Sequence, residues 1–452
     1  MNINNDTIVA RSTAAGYSAL AVIRLSGPES TDIINKISNI DNNFAHSHAK
    51  LAEISSRDQI IDEVVITFFQ EPNSYTGEDL IEISCHGSPV IVREIIDLCI
   101  SNGARMAEAG EFTKRRFFNN KIDLTQAEGI NNLIHSQTES ASRSSRNLLE
   151  GKIGEHLRNI KQQIIDNISL LELELDFTEE EIEHTSPDTI KTNVYKVIND
   201  ISSLIKTYQY GRLIQSGLKI ALIGPPNSGK SSLLNAIIKE ERAITSSKAG
   251  TTRDFIQESI DHDGYKLTFF DTAGIRKPLD SLEHKGIDKS RKIIKKSDLQ
   301  ILVIDVNQEH SIYNEFIPEK QKNILFIINK IDITDSGKIQ QFIKKYNIQN
   351  YIEVSALQRT NIDSLNDKII SWLEDKKPDK EDHIITVQRH YNILRKTKKE
   401  LQKSIQSINN GFASEFIVTD LRHALSKLDE ILGKTTNDEI LNNIFNNFCI
   451  GK

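Results

Sequence analysis

Hydrophobic and polar positions alternate differently in successive parts of the chain. Near the start, the runs ALAVIRLSG and DEVVITFF are short and rich in β-branched residues, which predicts strands. DLIEISCHG predicts a third strand, ended by Gly87 and Pro89, and the run that follows has helical apolar spacing behind an N-cap serine. The pattern therefore predicts a mixed α/β domain over residues 1–118.

The rest of the chain predicts a helical domain divided by a second α/β unit. Residues 119–215 hold a long stretch with apolar positions at helical spacing, from Ile153 to Leu171, and the run TYQYGRLIQSG predicts a linker leaving it. Short β-rich runs then alternate with helical stretches over residues 216–375, which is typical of a parallel sheet. Residues 376–452 return to helix, so we expect an inserted domain.

Composition and charge limit the kinds of protein that this chain can be. The chain has 452 residues, 38% hydrophobic and 26% charged, as is typical of a soluble globular protein of about three domains. The net charge of -7 means that any nucleic-acid contact needs a local basic patch. Short apolar runs, a polar start and three cysteines without a CxxC pair predict a cytoplasmic protein with no membrane segment, disulfide framework or structural zinc.

A phosphate-binding loop is the clearest motif. IALIGPPNSGKSSLLNAI combines an apolar strand, a glycine-bounded loop and an apolar-periodic helix, and Gly224, Gly229, Lys230 and Ser231 match GxxxxGK[ST]. The glycines let backbone N–H groups surround phosphates, the lysine neutralises them, and the Ser231 hydroxyl suits Mg²⁺.

Three further motifs follow in order and predict GTP rather than ATP. GTTRD offers Thr252 as a second Mg²⁺ hydroxyl, and DTAG places Asp271 at a strand end beside the metal. NKID offers Asp332, whose carboxylate accepts the paired N–H groups of guanine, and SAL completes the base pocket. The candidate GTP-binding residues are Asn227, Ser228, Gly229, Lys230, Ser231, Ser232, Ser246, Ser247, Lys248, Ala249, Gly250, Thr251, Thr252, Asp271, Thr272, Ala273, Gly274, Asn329, Lys330, Ile331, Asp332, Ser355, Ala356 and Leu357.

The motif set differs from that of Ras-like proteins at the position that orients the attacking water. Ile275 stands where a glutamine is usual, and no arginine finger is obvious, so another group must position the water and offset transition-state charge. The side-chain carbonyl of Asn227, with oxygens near Ser246, Lys248 and Thr251, suits a monovalent cation, K⁺, at the phosphates.

The whole chain resembles the bacterial tRNA-modifying GTPases called MnmE or TrmE. The resemblance rests on DTIVA, GEDLIEISCHG, AGEFTKRRFFNNKIDLTQAE, GPPNSGKSSLLNAI, GTTRD, DTAGIR and the terminal FCIGK, all in order. It implies an N-terminal α/β domain that dimerises and binds folate, and a helical domain interrupted by an inserted Ras-like P-loop G domain. It also implies potassium-stimulated hydrolysis, with Asn227 as a potassium ligand and Glu283 as the catalytic glutamate.

The resemblance further implies a folate site made by Arg24, Glu82, Lys121 and Lys452. The ligand would be 5,10-methylene- or 5-formyl-tetrahydrofolate. A carboxylate such as Glu82 suits the amide and amine edge of a pterin, and a cation such as Arg24 suits the polar end of the folate. From the residues alone, Arg24, Glu82 and Lys121 would be interpreted as ordinary ion pairs at the strand ends.

The implied function is GTP-dependent tRNA modification. A homodimer would join an FAD-dependent MnmG/GidA-type protein in a heterotetramer and add an aminomethyl or carboxymethylaminomethyl group at C5 of the wobble uridine, position 34. The alternative is a ribosome-assembly GTPase, although no GxxG loop follows residue 376. The basic run RHYNILRKTKKELQK is consistent with a tRNA contact or with a solvated helix face.

The last residues raise a separate question about Cys449. CIGK fits a C-a-a-X frame, but Lys is not a usual final residue, so prenylation is disfavoured. Cys449 either acts covalently, with its thiol activated by Lys452, or is a packing thiol. A capping box of Thr436 and Glu439 predicts a docked final helix. That helix would carry Cys449 and Lys452 towards a folate site, of this subunit or of a partner.

Overall fold

The computed structural model describes residues 6–40, 45–57, 59–176, 186–240, 242–243, 257–271, 294–318, 321, 323–379 and 383–452. These residues belong to two compact units, which are described separately. The first takes in the chain up to residue 134 together with 147–198 and 396–452. The second takes in residues 135–146 and 199–395.

Strands and helices are numbered in chain order over the described residues. The strands are β1 (Ile8–Arg11), β2 (Ser18–Ser26), β3 (Ala49–Ser56), β4 (Gln59–Phe69), β5 (Leu80–Gly87), β6 (Arg105–Met106), β7 (Leu218–Ile223), β8 (Arg242–Ala243), β9 (Gln257–His262), β10 (Tyr265–Asp271), β11 (Leu299–Ile304), β12 (Ile324–Ile328) and β13 (Tyr351–Glu353). The helices are α1 (Ser30–Ile37), α2 (Pro89–Ser101), α3 (Glu111–Phe118), α4 (Leu124–Ile134), α5 (Glu139–Leu149), α6 (Lys152–Asp176), α7 (Pro187–Ser216), α8 (Lys230–Glu240), α9 (Ser336–Tyr346), α10 (Ile362–Glu374), α11 (Gln388–Asn409), α12 (Ser414–Leu432) and α13 (Asp438–Phe445).

A six-stranded sheet forms the N-terminal part of the first unit, in the order β3-β4-β5-β2-β1-β6. The three strands predicted from the hydrophobic runs are β2, β4 and β5, and Ser88 caps α2 through its side chain as predicted. Alternate residues such as Ile23 and Ile83 are buried with α1 and α2 on one face. Arg24 and Glu82 therefore share the opposite face.

The helical part of the first unit is built around α6, which packs along α12. The predicted apolar positions of α6, including Ile153, Leu157 and Ile160, are all buried. Lys161 on α6 pairs with Asp429 on α12, with 2.5 Å between Nζ and Oδ1. This confirms the helical periodicity seen in the sequence.

The final helix docks against α3 and α4, but its cap differs from the prediction. Leu441, Phe445 and Phe448 pack in one cluster with Ile122 and Leu124. The N-cap is Asn437, whose side chain accepts a hydrogen bond from the Ile440 amide at 2.9 Å. The predicted capping box is wrong because the helix starts one residue later. The Thr436 hydroxyl instead donates to the Glu430 carbonyl, and Glu439 falls one place short of the box position.

A seven-stranded sheet forms the centre of the second unit, in the order β13-β12-β11-β7-β10-β9-β8. Strands β13, β12, β11, β7 and β10 are parallel, whereas β9 and β8 add antiparallel pairs. The carboxyl ends of parallel strands meet at one edge of a sheet, where ligands bind in such folds. The strands β7, β10, β11 and β12 all end at that edge.

The run TYQYGRLIQSG, predicted as a linker, belongs instead to α7. Tyr210 and Leu213 are buried, and a Cβ at Gly211 would lie 2.3 Å from the Ile385 carbonyl oxygen. Gly211 therefore lets the backbone at Ile385 approach α7 closely, and it does not end the helix.

The segment 135–146 lies in the second unit, against the β9–β10 hairpin. The amide and hydroxyl of Ser140 both donate to the Gly264 carbonyl, at 3.1 and 2.5 Å. Lys266 Nζ donates to Gln137 Oε1 at 2.8 Å. The hairpin turn is thus fixed to residues that precede α6 in the chain.

Among all helices of the described residues, none is long and apolar enough to cross a membrane.

Candidate functional sites

The loop between β7 and α8 has the shape that its glycines require. Gly224 and Gly229 have φ of +141° and +98°. A Cβ at Gly229 would lie 2.1 Å from Asn329 Nδ2. Lys230 Nζ donates to the carbonyls of Gly224 and Pro225 at 2.9 and 2.7 Å. The loop therefore curls around a buried ammonium group, as phosphate binding demands.

Two residues predicted to serve Mg²⁺ lie together. Ser231 Oγ, at the start of α8, donates to Asp271 Oδ2 at 2.6 Å. Asp271 ends β10, next to β7, and is only 2% exposed. Hydroxyl and carboxylate oxygens are the donor types that Mg²⁺ prefers, so the pair fits this metal.

The base-recognition motif is joined directly to the phosphate loop. Asn329 Nδ2 donates to the Ser228 carbonyl at 3.0 Å, and Asn329 Oδ1 accepts from the Ala356 amide at 3.1 Å. Ser355 Oγ donates to Asp332 Oδ1 at 2.6 Å, which orients the carboxylate. The structure thus brings the phosphate loop, the NKID motif and the SAL run into one site.

The remaining candidate GTP-binding residues differ in exposure and in backbone contacts. Ser232 is exposed on α8, Leu357 is exposed beside the base motif, and the Ile331 amide donates to the Val354 carbonyl at 3.3 Å. Asn227 is exposed with φ of +62°. Eleven predicted residues lie outside the described residues: Ser246, Ser247, Lys248, Ala249, Gly250, Thr251, Thr252, Thr272, Ala273, Gly274 and Glu283.

A second candidate site lies on the open face of the N-terminal sheet. Arg24 and Glu82 are directly opposite on β2 and β5, and Arg24 Nε donates to Glu82 Oε1 at 2.8 Å. Lys452 joins them: burial, and then the Arg24 charge, lower its pKa below the usual value, while Glu82 and Cys449 oppose that shift. The tail therefore places Lys452 within electrostatic range of Arg24 and Glu82 of the same chain.

Lys121 is exposed and is placed by its contact with the loop before β5. A Cβ at Gly77 would lie 3.2 Å from Lys121 Cε. The tail itself is held by a Ser12 Oγ hydrogen bond to the Gly451 carbonyl, at 3.0 Å, and by a bridge between Ala109 and Ile450.

Comparison with known proteins decides the family. The family model "MnmE helical domain" matches residues 124–449, and "GTP-binding protein TrmE N-terminus" matches residues 7–121. The tRNA modification GTPase MnmE of Aquifex aeolicus is 36% identical over 99% of this chain and 100% of its own length. The protein of the same name from Flavobacterium johnsoniae is 37% identical over 100% of both chains. This chain belongs to the MnmE family.

Among solved structures, a GTP-binding protein from Sulfolobus solfataricus in complex with GDP overlaps this MnmE family member with a TM-score of 0.26 and 20% identity. The overlap covers 60% of this chain and 80% of that one.

Sequence reasoning missed three residues in this MnmE family member. Asp305, at the end of β11, accepts from Lys330 Nζ at 2.7 Å, and the same ammonium donates to the Asn227 carbonyl at 2.8 Å. The Tyr75 ring contacts both Arg24 and Arg116. Only a carboxylate directly after an apolar strand, in the run ILVID, gave a signal for Asp305.

The three cysteines of this MnmE family member differ in environment. Burial raises the pKa of Cys85 to about 11 and that of Cys99 to about 12, which makes both thiols unreactive. Cys449 is exposed. A chemical role is therefore open only to Cys449, where it stays a prediction.

Proposed function

We propose that this chain hydrolyses GTP and acts in tRNA modification. The observation that carries the proposal is the full-length similarity to tRNA modification GTPases, which includes both ends of the chain. The site geometry supports it, because the phosphate loop and the guanine motif are joined through Asn329. Asp332, oriented by Ser355, would select guanine, and Lys230 would neutralise the phosphates.

Two metal ions complete the proposal for hydrolysis. Ser231 and Thr252 would hold Mg²⁺, with Asp271 in its surroundings, as the Ser231–Asp271 pair supports. Asn227, Ser246, Lys248 and Thr251 would hold K⁺, which supplies the positive charge that an arginine finger gives elsewhere. Glu283 would position the attacking water.

The N-terminal site is proposed to bind a tetrahydrofolate derivative. Arg24 pairs with Glu82, both act electrostatically on Lys452, and the Lys121 side chain lies against the loop before β5. Arg24 Nη1 is buried and has no hydrogen-bond partner among the described residues, so the site offers a donor to a ligand. The folate would supply the one-carbon unit.

The remaining parts of the proposal concern partners and place. The protein would form a homodimer through its N-terminal domain and, with an FAD-dependent MnmG/GidA-type protein, modify C5 of uridine 34 in the cytoplasm. Cys449 would take part in the chemistry of the one-carbon unit or the uridine.

Nucleoside mass spectrometry of tRNA from a deletion strain tests the function. We expect the C5-modified wobble uridine to disappear and to return when the intact gene is restored. Restoration with Lys230→Ala should fail, because phosphate binding is lost. Unchanged wobble uridine in the deletion strain would refute the proposed role in tRNA modification and favour a ribosome-assembly GTPase.

A further inference from the structure

The loop between β4 and β5 brings one aromatic ring against two guanidinium groups. Arg24 Cζ lies 4.9 Å and Arg116 Cζ 4.7 Å from the centroid of the Tyr75 ring. Both distances are within the range of cation–π contacts. The Tyr75 hydroxyl lies 2.9 Å from Thr113 Oγ1, on the same helix as Arg116. The ring is therefore held at both its face and its polar end.

Both arginines carry a buried donor without an acceptor in the described chain. These donors are Arg24 Nη1 and Arg116 Nε. Arg24 Nε is already used by Glu82, so the two atoms are additional donors. A buried guanidinium N–H without an acceptor is costly and calls for an explanation.

A neighbouring arginine shows that the domain satisfies such groups elsewhere. Arg115, next to Arg116 in sequence, is 4% exposed and pairs with Asp6, Glu78 and Glu111. The unmatched donors are thus specific to the arginines that face Tyr75. Arg24 and Arg116 both contact the Tyr75 ring, and the Arg24 charge also acts on Lys452, so the place favours a ligand rich in acceptors or negative charge.

We propose that Arg116 is a further ligand-binding residue of the folate site and that Tyr75 is its positioning residue. Arg116 Nε would donate to an acceptor of the folate next to the one that Arg24 Nη1 holds. The Tyr75 ring would fix both guanidinium groups in place before the ligand arrives. This inference rests on the proposed folate function of Arg24, Glu82 and Lys452.

Isothermal titration of the full-length protein with 5-formyltetrahydrofolate tests it. Arg116→Gln and Arg116→Lys should each weaken binding about tenfold or more, because neither side chain can present the Nε donor. Tyr75→Leu should weaken binding about fivefold to twentyfold, whereas Tyr75→Phe, which keeps the ring, should stay within about threefold. Arg93→Gln, which removes an exposed charge from α2, is the matched control and should change binding less than twofold.

The outcomes separate the inference from the function on which it rests. If the wild-type protein does not bind the folate, the folate function fails and the inference falls with it. If the wild type binds and both Arg116 variants bind equally well, only the inference is overturned. Equal weakening by Tyr75→Phe and Tyr75→Leu would overturn positioning by the ring. Unchanged melting temperatures and GTP hydrolysis should accompany the expected losses.

Discussion

Replacing Gly451 with alanine should release the C-terminal tail from the N-terminal sheet. Gly451 has φ of +92°, and a Cβ there would lie 2.1 Å from the Arg11 carbonyl oxygen and 3.0 Å from Ser12 Cα. The obstructing atoms are backbone at the end of β1, so no side-chain rotation can relieve the overlap. Either the tail or the strand end must move.

The expected cost follows from two contributions. A left-handed backbone costs a residue with a Cβ about 1–2 kcal/mol. Forcing an extra carbon into a packed place costs about 1–3 kcal/mol more. At about 1.4 kcal/mol per factor of ten, the equilibrium constant for docking of the tail should fall by between about thirtyfold and several thousandfold. The helix α13 should stay docked, since Leu441 and Phe445 are untouched.

Hydrogen exchange and folate titration together measure the release. The Gly110 amide donates to the Cys449 carbonyl at 3.4 Å and should lose its protection in the variant. Folate affinity should fall about tenfold or more because Lys452 leaves Arg24 and Glu82. Gly411→Ala is the control, since Gly411 has φ of +67° but a Cβ there meets no atom within 4 Å. Native protection at Gly110 and native folate affinity in the Gly451 variant would refute the reasoning.

Three further predictions concern the nucleotide, the monovalent cation and acid stability. Asn329→Ala, which loses two hydrogen bonds, should weaken the binding of a fluorescent GDP analogue by about 1–3 kcal/mol. Unchanged affinity would contradict the link between the phosphate loop and the NKID motif. Asn227→Ala should abolish the excess of hydrolysis in potassium over sodium; equal rates in the wild type would already disprove that site. Burial alone would raise the pKa of Glu111, but the hydrogen bond from Arg105 and nearby charges outweigh it and the pKa is lowered. The stability from Glu111 is therefore present above the unfolded pKa of about 4.3 and lost as pH falls through the folded value, so Glu111→Gln should flatten the decline in melting temperature on acidification.

Elements with a local signature could be predicted from the sequence. The strand, glycine loop and helix around Lys230 lie within eighteen consecutive letters, and their geometry follows from residue type alone. The α6 periodicity and the docked final helix were also predicted. The cap at Asn437 was missed by one residue because Thr436 and Asn437 are both good caps, and only the packing of the helix decides between them.

Contacts between distant parts of the chain could not be predicted. Asn329 and Ser228 are 101 positions apart, and their hydrogen bond depends on two strands ending at one sheet edge. In the sequence, Tyr75 is one aromatic residue within a polar loop. Its meeting with Arg24 and Arg116 requires the register of β2 and β5 and the start of α3, which no local pattern contains.

Strand β10 has a mechanical consequence for this chain. Asp271 at its carboxyl end bonds Ser231 of the phosphate loop, and the turn at Gly264 before its amino end is fixed to Ser140. The strand has seven residues, so its ends are about 20 Å apart, and an extended backbone changes little in length. Movement of Asp271 along the strand axis would therefore pull on Ser140. Strain produced at Asp271 would thus reach Ser140, at the start of α5, along β10.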